Sequence, residues 1–164
     1  MSLWISGRDG ASTSEYFVLE LTLIGKIMLT EKDYCDKDLS ATLMKMGFRG
    51  FGHFYYEKDS SKLKATHQFL TIRTAKGLGH TLAISLYEAQ KFLREEKGII
   101  VRVIPIYEER KLIKGISYTH EVIYWTDGYV TDECIEEYPS YEEALSEGIK
   151  EAVKILKNGL VSKR

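Results

Sequence analysis

Residues 116–157, ISYTHEVIYWTDGYVTDECIEEYPSYEEALSEGIKEAVKILK, carry both periodicities that a mixed fold requires. Ile116 to Trp125 and Tyr129 to Glu136 are rich in β-branched and aromatic residues, and each reads as a strand. Thr126-Asp127-Gly128 lies between them, and Asp-Gly marks a hairpin because the tight turn needs positive φ. Past Pro139 the period lengthens to that of a helix. Leu145, Ile149, Ala152, Val153 and Leu156 fall on one face. Ser140 caps this helix, Glu143 stands at the spacing of a capping box, and Asn158-Gly159 ends it.

Moving toward the N-terminus, Ile99 to Tyr107 is a β-branched run, apolar on both faces near its start and interrupted by Pro105. Before it, Ser85 and Glu88 form a second capping-box pair ahead of Leu86, Ala89, Phe92 and Leu93, with Gly98 as the stop. His53 to Tyr56 and His67 to Thr74 read as an antiparallel pair around an Asp59-Ser60-Ser61 turn. A first helix starts at Asp36 or Asp38, buries Leu39, Leu43 and Met46, and stops at Gly47. The expected order is α-β-β-α-β-β-β-α. That makes an α+β fold, a mainly antiparallel sheet with helices on one face. Residues 28–164 read as one such domain. Residues 1–27 read as an N-terminal extension, in which Phe17, Leu19, Leu21 and Leu23 alternate like an added strand.

Composition narrows the function classes. With 164 residues the chain is of single-domain size, and 44% hydrophobic against 29% charged content is ordinary for a globular protein. A net charge of −1 gives no bulk attraction for nucleic acid or anionic lipid. The most apolar stretch, Tyr16 to Leu29, is interrupted by Glu20 and Lys26, so no membrane span is expected and a cytoplasmic location is. Cys35 and Cys134 read as two separate reduced thiols.

Chemical motifs are sparse. His53, His67, His80 and His120 have no close ligand spacing, and neither cysteine has a partner at zinc-site spacing, so no metal or other cofactor is expected. There is no nucleophile elbow, P-loop or dinucleotide fingerprint, and no catalytic residue is assigned. Gly77-Leu78-Gly79-His80 reads as a plain connection between a strand and a helix. Charge is unevenly placed. Residues 43–82 hold seven bases and two acids, whereas 108–147 hold three bases and eleven acids. Lys58, Lys62, Lys64 and Arg73, with Tyr55 to stack, are the candidate nucleic-acid-binding residues. The bland counterpart is that the two halves neutralise each other. Acidic Tyr141-Glu142-Glu143 at the last helix's start argues against duplex RNA on that face.

Three stretches also carry a resemblance: Asp38-Leu39 through Gly47-Phe48, the E-A-Q-K-F-L-R-E core at 88–95, and Pro139 through Leu145. Over about residues 31–157 the chain resembles a family of short uncharacterised proteins from phages and mobile elements of gut anaerobic bacteria. Gly128-Tyr129-Val130 ahead of an E-E-A-L helix is, more weakly, similar to HicB-type antitoxins, without their proline-and-glycine turn. The resemblance implies an accessory protein and transfers no catalytic residue. The resulting expectation is a non-catalytic protein acting through protein–protein contact with a partner the residues do not identify. Self-association through the face of Phe17, Leu19, Leu21 and Leu23 is part of it, with nucleic-acid binding as the alternative.

Overall fold

The computed structural model describes residues 30–107, 116–126 and 129–159, the last from backbone alone over 129–133. After a turn of 3-10 helix at Glu31–Asp33 come α1 (Lys37–Lys45), β1 (Phe51–Tyr56), β2 (Leu63–Thr71), α2 (Ile72–Gly77) and β3 (Thr81–Leu82). Then follow α3 (Leu86–Glu96), β4 (Ile100–Ile106), β5 (Ser117–Trp125), β6 (Tyr129–Glu133) and α4 (Tyr141–Lys157). The fold is α+β, and every strand pairing is antiparallel.

The described strands form two three-stranded sheets, ordered β2-β1-β3 and β4-β5-β6, where the sequence suggested one. The second arises from residues 99–136 as expected, with Val101 opposite Val122 and Val103 opposite His120. The register Trp125↔Tyr129 leaves three residues between β5 and β6. The turn residues Asp127 and Gly128 themselves lie outside the described residues, as do residues 1–29 and the strand expected at 17–23.

Local signals account for most boundaries. Asp36 Oδ1 accepts from Leu39 N at 2.8 Å, which settles the first cap. Gly47 takes a φ of 102° just past α1, letting Phe48 N reach back to Leu43 O at 3.0 Å. Ser85 and Glu88 form the reciprocal box, each backbone N–H bonded to the other's side chain at 3.2 Å. The second expected box is only half made. Ser140 Oγ accepts from Glu143 N, but the Glu143 carboxylate is paired with Lys32 at 3.2 Å. A tertiary cation has taken the acid that local spacing assigned to the cap.

The second strand differs most from expectation. β2 runs from 63 to 71, not 67 to 74, because Thr71 accepts from Thr74 N and starts α2. Gly77-Leu78-Gly79-His80 therefore joins α2 to the two-residue β3 rather than a strand to a helix. Between Gly52↔Leu70 and Phe54↔Ala65 the β1–β2 ladder bulges, with the extra residues on β2.

The main core lies between the β4-β5-β6 sheet and α3 and α4. It joins Val101, Val122 and Tyr124 to Leu86, Ala89, Leu93, Leu145, Ile149 and Val153, and extends to Leu39 and Leu43 of α1. Each fully buried side chain of this kind contributes roughly 1.5–3 kcal/mol. α4 comes so close to the sheet that a Cβ at Gly148 would sit 2.6 Å from Val101 Cγ1. A smaller cluster of Leu70, Ala75 and Leu82 backs the first sheet, with Met44, Tyr55 and Ile72 against it.

Candidate functional site

The cations selected from sequence do not gather at one place. Lys58 and Lys62 lie in the β1–β2 turn, and Lys64 is the second residue of β2, whereas Arg73 lies on α2 beyond the opposite end of that strand. Lys64 is bound to Glu57 at 2.7 Å, and this ion pair raises the lysine's pKa and lowers the carboxylate's. The Lys58 carbonyl accepts from Lys37 Nζ. Tyr55 stacks on His80 with ring centroids 4.5 Å apart. Phe17, Leu19, Leu21 and Leu23 lie outside the described residues.

A different basic group does assemble. Arg49, just before β1, meets Arg73 and Lys76 of α2 along a groove of about 520 Å³ whose apolar lining includes Met44, Phe48 and Ile72. No acid lines it. None of the three cations has an ion pair or side-chain hydrogen bond among the described residues. A neighbouring groove of about 530 Å³ shares Arg49 but is lined by Glu88, Glu95 and Glu96, so the local field changes sign across Arg49. Among the described residues none of Lys45, Arg49, Lys58, Lys62, Lys64, Arg73 and Lys76 forms an ion pair with an acid of 108–147. Arg49 and Lys76 were legible in the sequence as members of the basic segment; their meeting with Arg73 depends on α2.

Aromatic exposure follows the same boundary. Phe54 packs on Tyr34 at 5.0 Å, and Tyr56 is buried with its hydroxyl donating to Cys35 O at 2.8 Å. Burial, then nearby negative charge, pushes Tyr56 up to about 12. Phe51 and Phe69, by contrast, are 65% and 64% exposed, edge to face at 5.5 Å, and His53 lies 4.0 Å from the Phe69 ring. His53 Nδ1 faces Thr66 O at 3.2 Å. No group of three or more metal-ligating side chains occurs among the described residues.

A second polar cluster runs from the buried His120 outward to the exposed Glu136. His120 is buried, and its Nε2 lies 3.0 Å from Glu151 Oε2 of α4. Cys134 follows β6, its N–H donating to His120 O at 3.1 Å. The Cys134 thiol is 3.8 Å from the Tyr138 hydroxyl, which donates to Glu136 at 3.0 Å. Burial first, then the bonds to Cys134 and Glu136, drives the Tyr138 pKa well up. His120 Nδ1 has no hydrogen-bond partner, so the set lacks the thiol–imidazole contact that nucleophilic catalysis uses. Cys35 is fully buried, and burial raises its thiol pKa far above the ordinary range, which suits a packing role.

The reverse face of the β4-β5-β6 sheet is the other unusual surface. Both packed helices lie on the face of Val101, His120, Val122 and Tyr124. On the reverse face Ile123 and Glu121 are buried, whereas Ile100, Ile104 and Trp125 are 41%, 36% and 46% exposed. Arg102 Nε approaches Glu121 Oε2 at 3.1 Å without the alignment of a hydrogen bond, so that oxygen is paired by charge alone. No family model, curated protein or solved structure matches this chain. Among the described residues no helix is long and apolar enough to cross a membrane.

Proposed function

We propose that the protein is a phage or mobile-element type accessory protein that acts by contact rather than catalysis, with a second copy of itself as its first partner. The observation that carries this reading is the reverse face of the second sheet, with Ile100 and Ile104 exposed on β4, an edge strand of its sheet among the described residues. An edge strand offers unpaired backbone groups, and an apolar strand from elsewhere satisfies them while covering the side chains beside it. Phe17, Leu19, Leu21 and Leu23 have the alternation such a strand needs. Six residues lie between Leu23 and Thr30, and the seven Cα–Cα steps that join them span at most about 25 Å, enough chain to reach a neighbour's edge. Pro105 lacks an N–H and confines the pairing to the Ile100–Ile104 part of β4.

The test is molar mass against concentration, by light scattering or sedimentation, for the full chain and for Leu19→Glu/Leu21→Glu. A dimer that the double substitution converts to folded monomer, and that Ile104→Glu also weakens, is the expected result. A full chain monomeric at every concentration overturns self-association. A dimer indifferent to both changes removes this surface from it.

A further inference from the structure

We infer that the groove of Arg49, Arg73 and Lys76, together with the Phe51–Phe69 pair, forms one binding surface for single-stranded nucleic acid. It lies on the first sheet and α2, away from the face invoked above, so the two readings stand or fall separately.

The argument starts from charge. Lys32, Lys64, Arg94, Arg102 and Lys150 each sit within 3.2 Å of a carboxylate, whereas Arg49, Arg73 and Lys76 share a groove that no described acid lines and pair with nothing described. Three cations lining one cleft repel one another, and a chain of phosphates is the ligand that relieves several of them together. The guanidinium groups add geometry, since each presents a planar fork to phosphate oxygens.

The aromatic half of the surface is continuous with the basic half. Phe51 follows Gly50 of the groove, and it pairs across the ladder with Thr71, another lining residue, two positions after Phe69. Phenylalanine has no polar tip to favour exposure, so two rings this exposed and in mutual contact are a costly surface for a free protein. Base faces would cover them, because stacking requires bases free of a partner strand and tolerates any sequence. A duplex hides those faces. An acidic peptide meets the cations but leaves the rings uncovered. The β2 bulge between the Gly52↔Leu70 and Phe54↔Ala65 pairs gives the segment that carries Phe69 its position, which is why sequence pattern alone did not join these residues.

The experiment is fluorescence anisotropy of labelled oligo(dT) and oligo(U) titrated with the full chain over a range of salt. Both strands should bind, with log Kobs falling against log[salt] at a slope of about −2, as three phosphate contacts at ~0.7 each require. Arg49→Gln/Arg73→Gln/Lys76→Gln should flatten that slope and weaken binding at least about tenfold at low salt. Phe51→Ala/Phe69→Ala should keep the slope and weaken binding about fivefold or more for each base unstacked. Lys58→Gln/Lys62→Gln, at the distant hairpin turn, should change neither. All the substituted side chains are exposed, and melting curves verify that each variant folds. Absence of binding at low salt overturns the proposal. So does equal affinity for a duplex of the same length, or competition by poly-glutamate as strong as that by unlabelled oligo(dT). Binding that the phenylalanine variant leaves unchanged does the same, reducing the site to an unspecific basic patch.

Discussion

The two sheets of this molecule have the same number of strands and opposite characters. The β4-β5-β6 sheet has two helices on one face, and the Val101–Val122 pair sits at the centre of a core that reaches all the way to α1. Among the described residues the β2-β1-β3 sheet is backed by the small cluster of Leu70, Ala75 and Leu82, with Ala75 from the six-residue α2 and Met44 of α1 against it, and it turns Phe51 and Phe69 outward. Both sheets are antiparallel, so strand pairing does not explain the contrast. What differs is the length and amphipathic stripe of the helix each sheet receives. α4 supplies seven buried positions over 17 residues, whereas α2 buries Ala75 alone. A sheet with an ample helix becomes scaffold; one with a short helix is left with side chains and cations for contact with something else.

The sharpest way to break this comparison is to remove one large side chain from each core. Leu145→Ala should cost about 2–5 kcal/mol by urea unfolding, since Leu145 is buried where α4 meets the sheet. Leu82→Ala should fall at the low end of that range, because a small cluster near the surface can collapse around the gap. Hydrogen exchange in β1 and β2 should then quicken ahead of that in β4 and β5. Equal costs and uniform exchange would show that the two sheets are one cooperative unit.

Gly148→Ala sharpens the scaffold side. Its Cβ would lie 2.6 Å from Val101 Cγ1 and 3.2 Å from His120 Cβ, so α4 must lift from the sheet. Overpacking of this kind costs about 1–3 kcal/mol, offset by up to about 1 kcal/mol from alanine's better helix propensity. A lower melting temperature is expected, and a rise would mean that the helix shifts freely. Tyr56 gives the smallest effect, at the seam between the first sheet and Cys35. Tyr56→Phe removes its bond to Cys35 O at 2.8 Å and should cost about 1 kcal/mol. Its pKa is raised to about 12 from an ordinary 10, as is that of Tyr34, so the folded state favours both neutral phenols. Their contribution is fully present below pH 10 and is lost as the pH rises toward about 12. The wild-type melting temperature should therefore drop more steeply over that window than that of Tyr56→Phe.

The sequence by itself determined the elements whose signals are local. The Ser85–Glu88 box, the Ser140 cap and the stop at Gly47 are interactions within a few residues, so spacing alone reveals them, and it narrows the first cap to Asp36 or Asp38. The α4 stripe and the β-branched runs of β4 and β5 are equally legible, because one face of each must be apolar to be buried. Tertiary structure alone decided the rest. It divided the strands between two sheets, which depends on where α1 and α2 can pack, and it gave Glu143 to Lys32 instead of to its own cap. It also dispersed Lys58, Lys62 and Lys64 from Arg73 and brought Arg49 and Lys76 to it. Charge counted along a chain is indifferent to chain reversal. A hairpin sends its turn and its ends to opposite extremes of a strand, and only the pairing of β1 with β2 shows which cations end up as neighbours.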